Sequence, residues 1–172
     1  MSFRIGILTV STKGAAGLRQ DTSGAAIREL LSGIDAAVER YEVISDERDQ
    51  ICDRLRRWSD GERLDLIVTS GGTGLTPTDV TPEATLAVLD YQVPGLAEAM
   101  RAEGLKHTPM AMLSRAVVGV RGRTLIVNLP GSPRGVRENL AAVLSALPHA
   151  LEMLRGEVGE HGPCATHQKP TP

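Results

Sequence analysis

Two glycine-containing segments hold most of the residues that could do chemistry. The first, TSGGTGLTPTD at Thr69–Asp79, follows an apolar run and precedes a helix start near Pro82. In an open parallel sheet, loops at the carboxyl ends of strands form the ligand crevice, and glycines let backbone amides approach a phosphate. A glycine-rich turn without a ligand is the alternative. The candidate phosphate-binding residues are Ser70, Gly71, Gly72, Thr73 and Gly74.

Two aspartates lie close to this segment in the predicted sheet. Asp79 ends it, and Asp46 follows the run EVIS, so both should emerge at one carboxyl edge, from strands that could be neighbours. A carboxylate beside a phosphate cradle is explained if the phosphate arrives with Mg²⁺. Aspartate is also common in turns and helix caps. We expect Asp46 and Asp79 to be the catalytic and metal-binding pair.

The second segment, NLPGSPRG at Asn128–Gly135, also joins a predicted strand to a predicted helix. Ser132 and the amides after Gly131 could bind an anion at that helix start, with Arg134 or Arg137 nearby. An ordinary capped helix with solvated arginines is the alternative. The candidate binding residues here are Asn128, Pro130, Gly131 and Ser132.

Weaker candidates lie elsewhere. The run Ser11–Lys13 follows the first strand and could add a polar or cationic contact, or form a solvated loop. Ser114 and Arg115 either contact substrate or cap local structure. Three potential zinc ligands recur every third residue near the C-terminus, namely His161, Cys164 and His167. Zinc sites use four ligands or three plus water, so a zinc site in this polar segment is the less favoured interpretation.

Several site classes are disfavoured by spacing. The G-x-G-x-x-G fingerprint fails because Pro77 occupies the third glycine position counted from Gly72, and no Gly-Lys-Ser/Thr follows. Three functional hypotheses are considered: a group-transferring enzyme, a binding protein without turnover and a nicotinamide-dependent enzyme. The last of these is therefore the weakest. No Ser-His-Asp or Cys-His arrangement is recognisable, and no histidine falls in a predicted strand-end loop. Phosphoryl or nucleotidyl transfer suits this inventory, because it depends on positioning and charge neutralisation.

Alternating apolar runs and helical patterns predict the elements that must position these residues. Buried strands are expected at Phe3–Val10, Ala36–Ile44 and Leu64–Thr69. A hairpin is expected from Ala116–Val120 and Thr124–Leu129. Helices are expected at Ala25–Leu31 behind a cap at Asp21–Gly24, from Asp49, around Pro82–Leu89 with Thr81 as N-cap, at Pro94–Glu103, and from Pro133 through Leu147 with a break at Pro148.

This alternation predicts an α/β protein with three layers, α/β/α, a mostly parallel sheet and one antiparallel edge hairpin. The length of 172 residues favours one domain, expected at 1–155, followed by a flexible tail at 156–172. With 19 basic against 21 acidic residues and 2% aromatic residues, neither nucleic-acid nor membrane binding is favoured. No disulfide framework or signal segment is recognisable, so we expect a cytoplasmic protein.

The ordered motifs resemble the molybdenum-cofactor biosynthesis family of the MogA/MoaB type over most of the chain. The two most specific blocks are TSGGTGLTPTDVTPEAT at Thr69–Thr85 and LIVNLPGSP at Leu125–Pro133. The others are ILTVS at Ile7–Ser11, DTSG at Asp21–Gly24, ISDE at Ile44–Glu47, VPGLAEAM at Val93–Met100 and TPMAMLSRAVVGVRG at Thr108–Gly122.

The resemblance implies a molybdopterin-binding domain that acts as a molybdopterin adenylyltransferase. In this reaction, the terminal phosphate of molybdopterin attacks the α-phosphate of ATP with Mg²⁺, giving adenylyl-molybdopterin and pyrophosphate. It associates Asp46 and Asp79 with metal and catalysis, the GGTG segment with ligand phosphate, and the NLPG segment with the substrate or nucleotide pocket. It also implies a homotrimer or hexamer and hand-off to a molybdate-insertion enzyme. An inactive molybdopterin carrier or scaffold homologue is the alternative.

Overall fold

Six strands form one mixed sheet in the computed structural model, which describes residues 2–157. Their order is β2-β1-β3-β6-β5-β4; β2, β1, β3 and β6 run parallel, and β5 is antiparallel to β6 and β4. The strands are β1 (Phe3–Val10), β2 (Ala36–Ile44), β3 (Leu66–Ser70), β4 (Tyr91–Gln92), β5 (Val118–Arg121) and β6 (Thr124–Leu129). The predicted mostly parallel sheet with an antiparallel edge hairpin is confirmed.

Helices cover both faces of the sheet. They are α1 (Thr12–Ala15), α2 (Thr22–Leu31), α3 (Arg48–Arg56), α4 (Thr81–Leu86), α5 (Pro94–Leu105), α6 (Pro133–Val143) and α7 (Leu147–Arg155). A π-helical turn, Arg57–Gly61, continues α3, and a 3₁₀ turn, Pro109–Leu113, follows α5. Between residues 2 and 157 no helix has the length and apolar character needed to cross a bilayer.

Two apolar layers, one on each face, hold the helices to the sheet. Ile5 and Ile7 of β1 pack with α2, α5, α6 and α7, whereas Leu8 and Val10 pack with α3 and α4. Successive side chains of a strand point to opposite faces, so a strand covered on both sides must be apolar at nearly every position. β1 fits this rule, and the predicted three-layer architecture is confirmed.

The carboxyl ends of the four parallel strands meet at one edge of the sheet, as expected. β1 ends at Val10, β3 at Ser70 and β6 at Leu129. Asp46 follows β2 and Asp79 follows β3, but β1 pairs with both strands and therefore lies between them. The two aspartates do not come from neighbouring strands.

Local predictions differ from the structure at three helix boundaries. Val80, not Thr81, is the N-cap of α4; Thr81 is the first helical residue, and its amide donates to the Gly72 carbonyl outside the helix. The same helix ends at Leu86, before the two-residue strand β4. α6 stops at Val143, and Pro148 lies in the first turn of α7, where its missing N–H costs no hydrogen bond.

Gly6 is the point at which β1 touches the bulkiest buried side chain. A Cβ atom there would lie 2.7 Å from Cε3 of Trp58 and 2.8 Å from Cδ1 of Leu64, both of which are buried. Gly6→Ala should therefore lower the free energy of unfolding by about 1–3 kcal/mol through overpacking, measured by urea denaturation. Gly95→Ala is the control, because no atom lies within 4 Å of its Cβ position in α5. Equal urea midpoints for Gly6→Ala and wild type would contradict this tight contact.

Candidate functional site

An open cleft of about 1000 Å³ lies at the carboxyl edge of the parallel strands. Three segments form its walls: the connection from β1 to α2, the glycine turn after β3, and the start of α6. Its lining residues are Thr9–Gly14, Arg19–Ser23, Val43, Asp46, Ser70–Gly72, Thr78 and Gly131–Pro133. Of the candidates from sequence, the structure therefore brings together Ser11–Lys13, Asp46, Ser70, Gly71, Gly72, Gly131 and Ser132.

The glycine turn forms the floor of the cleft. Gly71 and Gly72 have φ of 97° and 66°, in the region that favours glycine. A Cβ atom on Gly71 would collide with the carbonyl oxygen of Val10, and one on Gly131 would lie 3.3 Å from the α-carbon of Gly71. The Gly71 amide donates to the Leu129 carbonyl at 3.1 Å. The ends of β1, β3 and β6 are therefore in backbone contact.

Asp46 presents one carboxylate oxygen to this turn. Its Oδ2 accepts hydrogen bonds from the amide and the hydroxyl of Thr12, both at 2.7 Å. Its Oδ1 has no hydrogen bond from residues 2–157 and lies 3.6 Å from the Cβ position of Gly72. Thr12 thus fixes the orientation of Asp46 and leaves one oxygen available to a ligand.

Asp79 lies at the other end of the glycine segment. Its Oδ2 accepts from the amide of Thr76 at 2.9 Å and from the Thr76 hydroxyl at 2.6 Å, a local turn of the loop. The same oxygen is 2.9 Å from the Cβ position of Gly74. Thr78 lines the cleft and Asp79 does not. Asp46 and Asp79 therefore border residues 72 and 74 of one short segment, but only Asp46 faces the cleft.

Arg115 ties down the segment between these aspartates. Its Nε donates to the Gly74 carbonyl at 2.7 Å, its Nη2 to the Asp79 carbonyl at 2.6 Å, and its Nη1 pairs with Glu83. Its own amide donates to the Thr73 carbonyl at 2.9 Å. The guanidinium is thus committed to the loop, and neither Arg115 nor Ser114 lines the cleft.

Asn128 is buried inside the sheet and has its hydrogen bonds satisfied there. Its Nδ2 donates to the hydroxyls of Thr69 and Thr85, both at 3.0 Å, and its Oδ1 accepts from the Val117 amide at 3.3 Å. A buried amide with these partners has little capacity for a ligand. Asn128 of β6 therefore joins β3, α4 and the residue before β5.

The start of α6 forms one wall of the cleft. The Ser132 hydroxyl accepts from the Gly135 amide at 3.1 Å and caps the helix, as the pattern GSPRG predicts. The Pro130 carbonyl accepts from the Ser70 hydroxyl at 3.0 Å, which holds this wall against the end of β3. Pro133 has no N–H, and the amides of Gly135 and Val136 donate to Ser132, so within residues 2–157 the first turn of α6 leaves the Arg134 amide as its free donor.

The sequence predicts a cap at Asp21 but not its further role in the cleft. Asp21 Oδ1 caps α2 by accepting from the Ser23 hydroxyl and the Gly24 amide, both at 2.9 Å. Its Oδ2 accepts from Thr9 of β1 at 2.6 Å and from Tyr41 of β2. No spacing rule connects residues 9, 21 and 41, because their contact arises from the pairing of β1 with β2.

These hydrogen bonds set the charge states of Asp21 and Tyr41. Burial raises the pKa of Asp21, but the hydrogen bonds from Thr9, Tyr41 and the start of α2 outweigh burial, so the pKa lies below its ordinary value. Burial and the bond to Asp21 raise the pKa of Tyr41 to about 12. Asp21 is therefore a carboxylate and Tyr41 a neutral phenol at pH 7.

The donor set fits Mg²⁺ held together with a substrate phosphate. In the described part of the chain, no cluster of three His, Cys, Asp or Glu side chains could hold a metal by itself. Mg²⁺ commonly binds one or two carboxylates and completes its shell with substrate phosphates and water. The free Oδ1 of Asp46 supplies such a ligand. The potential zinc ligands His161, Cys164 and His167, and the tail from 158 onward, lie outside the described residues.

Asp21→Asn tests how strongly this network holds the wall of the cleft. Asparagine caps helices as well as aspartate does, so the change removes mainly the charged acceptor for Thr9 and Tyr41. We expect a loss of about 1–2 kcal/mol in the free energy of unfolding at pH 7. Because the folded-state pKa lies below the unfolded value of 3.8, the difference from wild type should shrink as the pH falls below 3.8.

The measurement is urea denaturation of both proteins at pH 7 and at pH 3. Asp53→Asn is the matched control, since its side chain is 82% exposed and its contact with Arg56 is 3.9 Å long. It should change stability by less than about 0.5 kcal/mol. A gap between Asp21→Asn and wild type that persists unchanged at pH 3 would show that its carboxylate charge is not the cause.

Comparison with known proteins agrees with the motifs and the fold. A family model described as "Probable molybdopterin binding domain" matches residues 6–149. A molybdopterin adenylyltransferase of Helicobacter pylori J99 is 42% identical over 157 residues, covering 90% of this chain and 89% of the relative. The molybdopterin adenylyltransferase of Escherichia coli K12 is 36% identical over 176 residues, covering 94% and 90%.

The solved structures give the same assignment. The molybdopterin biosynthesis enzyme MoaB from Thermus thermophilus superposes with a TM-score of 0.85 at 62% identity, covering 90% of this chain and 97% of that one. The match extends over the β1–α2 connection, the glycine turn and the α6 start that together line the cleft. By sequence and by fold, the chain belongs to the molybdopterin-binding domain family of molybdenum cofactor biosynthesis.

Proposed function

We propose that this protein is a Mg²⁺-dependent molybdopterin adenylyltransferase, a nucleotidyltransferase whose substrates are molybdopterin and ATP. An oxygen of the terminal phosphate of molybdopterin attacks the α-phosphorus of ATP. The bond from that phosphorus to the bridging oxygen breaks, and pyrophosphate leaves. Relatives that carry this name at 36–42% identity support the proposal.

The observation that carries the proposal is that the glycine turn and the start of α6, two segments suited to bind anions, lie in one cleft with a carboxylate, Asp46, that has a free oxygen. The cleft is lined by the Gly71–Gly72 turn, by residues Gly131–Pro133 at the start of α6 and by Asp46, whose Oδ1 lies beside Gly72. Backbone amides at a turn and a helix start stabilise the charge of bound phosphates. A carboxylate that keeps an oxygen free among such groups is suited to a site that shares a cation with those phosphates.

The remaining residues orient rather than react. Thr12 holds Asp46, and Arg115 holds the loop that ends at Asp79. Mg²⁺, when bound by Asp46 and Asp79, would neutralise phosphate charge. The attacking phosphate is already anionic, so the step needs no side-chain base. His107 and His149, the histidines of the described residues, do not line the cleft.

Asp46→Asn and Asp79→Asn test the proposed pair separately. Each change removes a negative charge with little change of volume, and the new carbonyl oxygen can still accept from Thr12 or Thr76. We expect each variant to fold and to lose about a hundredfold or more in turnover. The measurement is pyrophosphate release with Mg²⁺-ATP, with and without molybdopterin, followed by mass detection of the adenylylated product.

Asp53→Asn again provides the matched control and should keep wild-type turnover. Normal activity in Asp79→Asn would remove that residue from catalysis and leave Asp46, the carboxylate that faces the cleft. Molybdopterin binding by wild type without pyrophosphate or adenylylated product would support the alternative of a carrier or scaffold homologue. A change in nicotinamide absorbance would support the least favoured hypothesis.

We propose further that the protein works as a homo-oligomer, a trimer or a dimer of trimers, in the cytoplasm, and passes its product to a molybdate-insertion enzyme. An exposed apolar surface after α5 supports self-association. Met110 and Met112 in the 3₁₀ turn are 61% and 63% exposed, and Leu105 and Leu113 are also exposed. Single domains seldom leave such a cluster in water without a partner.

Met112→Glu should therefore lower the molar mass of the particle measured by size-exclusion chromatography with light scattering. A charge buried in a subunit contact is strongly unfavourable, so the mass should fall toward that of one chain. Met153→Glu is the control, because Met153 is 54% exposed on α7, away from this turn. A monomeric wild-type protein, or an unchanged mass in Met112→Glu, would contradict self-association through the 3₁₀ turn.

A further inference from the structure

Two cations that line the cleft have no partner within residues 2–157. Lys13 in α1 and Arg19 before α2 both contribute to the lining, and neither side chain has a hydrogen bond, ion pair or ring contact within residues 2–157. We propose that Lys13 and Arg19 form a phosphate clamp, the part of the site that holds a terminal phosphate or polyphosphate of a substrate. This inference rests on the proposed function for the identity of the substrates.

The acidic residues of the same cleft do not compete for these cations. Asp21 receives four hydrogen bonds from Thr9, Tyr41 and the α2 start. Asp46 is held by Thr12 through one oxygen, and its other oxygen faces the glycine turn. Elsewhere in the described chain, arginines such as Arg54 and Arg121 form ion pairs at 2.6 Å. Other exposed cations, such as Arg63, also lack a partner within residues 2–157, so it is the place of Lys13 and Arg19 in the cleft lining that points to a ligand.

The backbone that carries the two cations is anchored at both ends. Lys13 follows Thr12, whose amide and hydroxyl are bonded to Asp46. Arg19 lies two residues before Asp21, which is bonded to β1, β2 and α2. The segment between them is exposed and contains Gly17 at a φ of 72°. These anchors restrict the α-carbon positions of Lys13 and Arg19. Both side chains are long enough to reach a ligand in the cleft from there.

Charge and geometry favour phosphate over other anions. Two cations with several donors suit a group that carries two or more charges and several oxygens, as a terminal phosphate or pyrophosphate does. Gly72, Gly131 and Ser132 line the same space, and their backbone amides would bind the remaining oxygens. Two sources share this chemistry: the phosphomonoester of molybdopterin and the β- and γ-phosphates of ATP.

Binding without Mg²⁺ separates the clamp from the metal. Isothermal titration calorimetry in EDTA would compare wild type, Lys13→Gln, Arg19→Gln and the double variant, with pyrophosphate, ATP and molybdopterin as probes. Each single change should weaken binding of at least one phosphate probe by roughly tenfold, and the double variant by more. The double variant should also show a shallower dependence of affinity on salt.

Lys106→Gln is the matched control, since Lys106 is exposed in an ion pair with Glu103 outside the cleft. It removes one positive charge and should leave all three affinities unchanged. Thermal unfolding of the cleft variants should match wild type, because Lys13 and Arg19 are exposed. Wild-type affinity of the double variant for every phosphate probe, or an equal loss in Lys106→Gln, would overturn the clamp.

The arms of this experiment assign the source of the phosphate. Weaker binding of ATP and pyrophosphate with unchanged molybdopterin binding places the nucleotide polyphosphate at the clamp, and the reverse places the pterin phosphate there. Product assays keep the two proposals distinct. Wild type that binds pyrophosphate through these cations but makes no adenylyl product leaves the clamp standing and refutes the transferase. If wild type forms the adenylyl product and the double variant binds every phosphate probe as wild type does, the transferase stands and the clamp is refuted.

Discussion

The close approach of three backbone segments at Gly71 is the constraint on which the cleft depends. The Gly71 amide bonds to the end of β6, a Cβ on Gly131 would lie 3.3 Å from the Gly71 α-carbon, and a Cβ on Gly71 would collide with the carbonyl of Val10. Any side chain here would separate the β1 connection from the start of α6. Those two segments line the cleft, so its shape depends on glycine at position 71.

Three carboxylates turn this backbone geometry into stable loops. Asp21, Asp46 and Asp79 each accept from a backbone amide within reach, those of Gly24, Thr12 and Thr76. Each bond satisfies a donor that a loop would otherwise leave exposed. Each aspartate shapes its loop through one oxygen. The other oxygen of Asp21 bonds to Thr9 and Tyr41, whereas those of Asp46 and Asp79 have no hydrogen bond within residues 2–157. A loop stabilised in this way holds its shape before a ligand arrives, which limits the ordering that binding must bring about.

Sequence patterns were sufficient for the sheet, the cap at Asp21 and the glycine turn, because each depends on local spacing. They were insufficient where a side chain's partner is distant in sequence. Asn128 and Arg115 have the polar chemistry of ligand contacts, yet Thr85, 43 residues from Asn128, takes its amide, and the Gly74 carbonyl takes the guanidinium. Lys13 and Arg19 gain importance for the converse reason, since only the folded chain shows that their side chains have no partner within residues 2–157.

The division of charge in the cleft fits a reaction that joins two anions. Helix starts and the glycine turn provide neutral donors, which bind phosphate oxygens without adding a full charge. Full positive charge in the described lining comes from exposed side chains at the rim, where hydration lets them move with the ligand. The carboxylates of the described lining, Asp21 and Asp46, accept hydrogen bonds from threonines and a helix start, and one oxygen of Asp46 has no such bond. Under the proposed function, a cation bound by that oxygen beside Gly72 would lower the repulsion between two phosphates brought into the cleft.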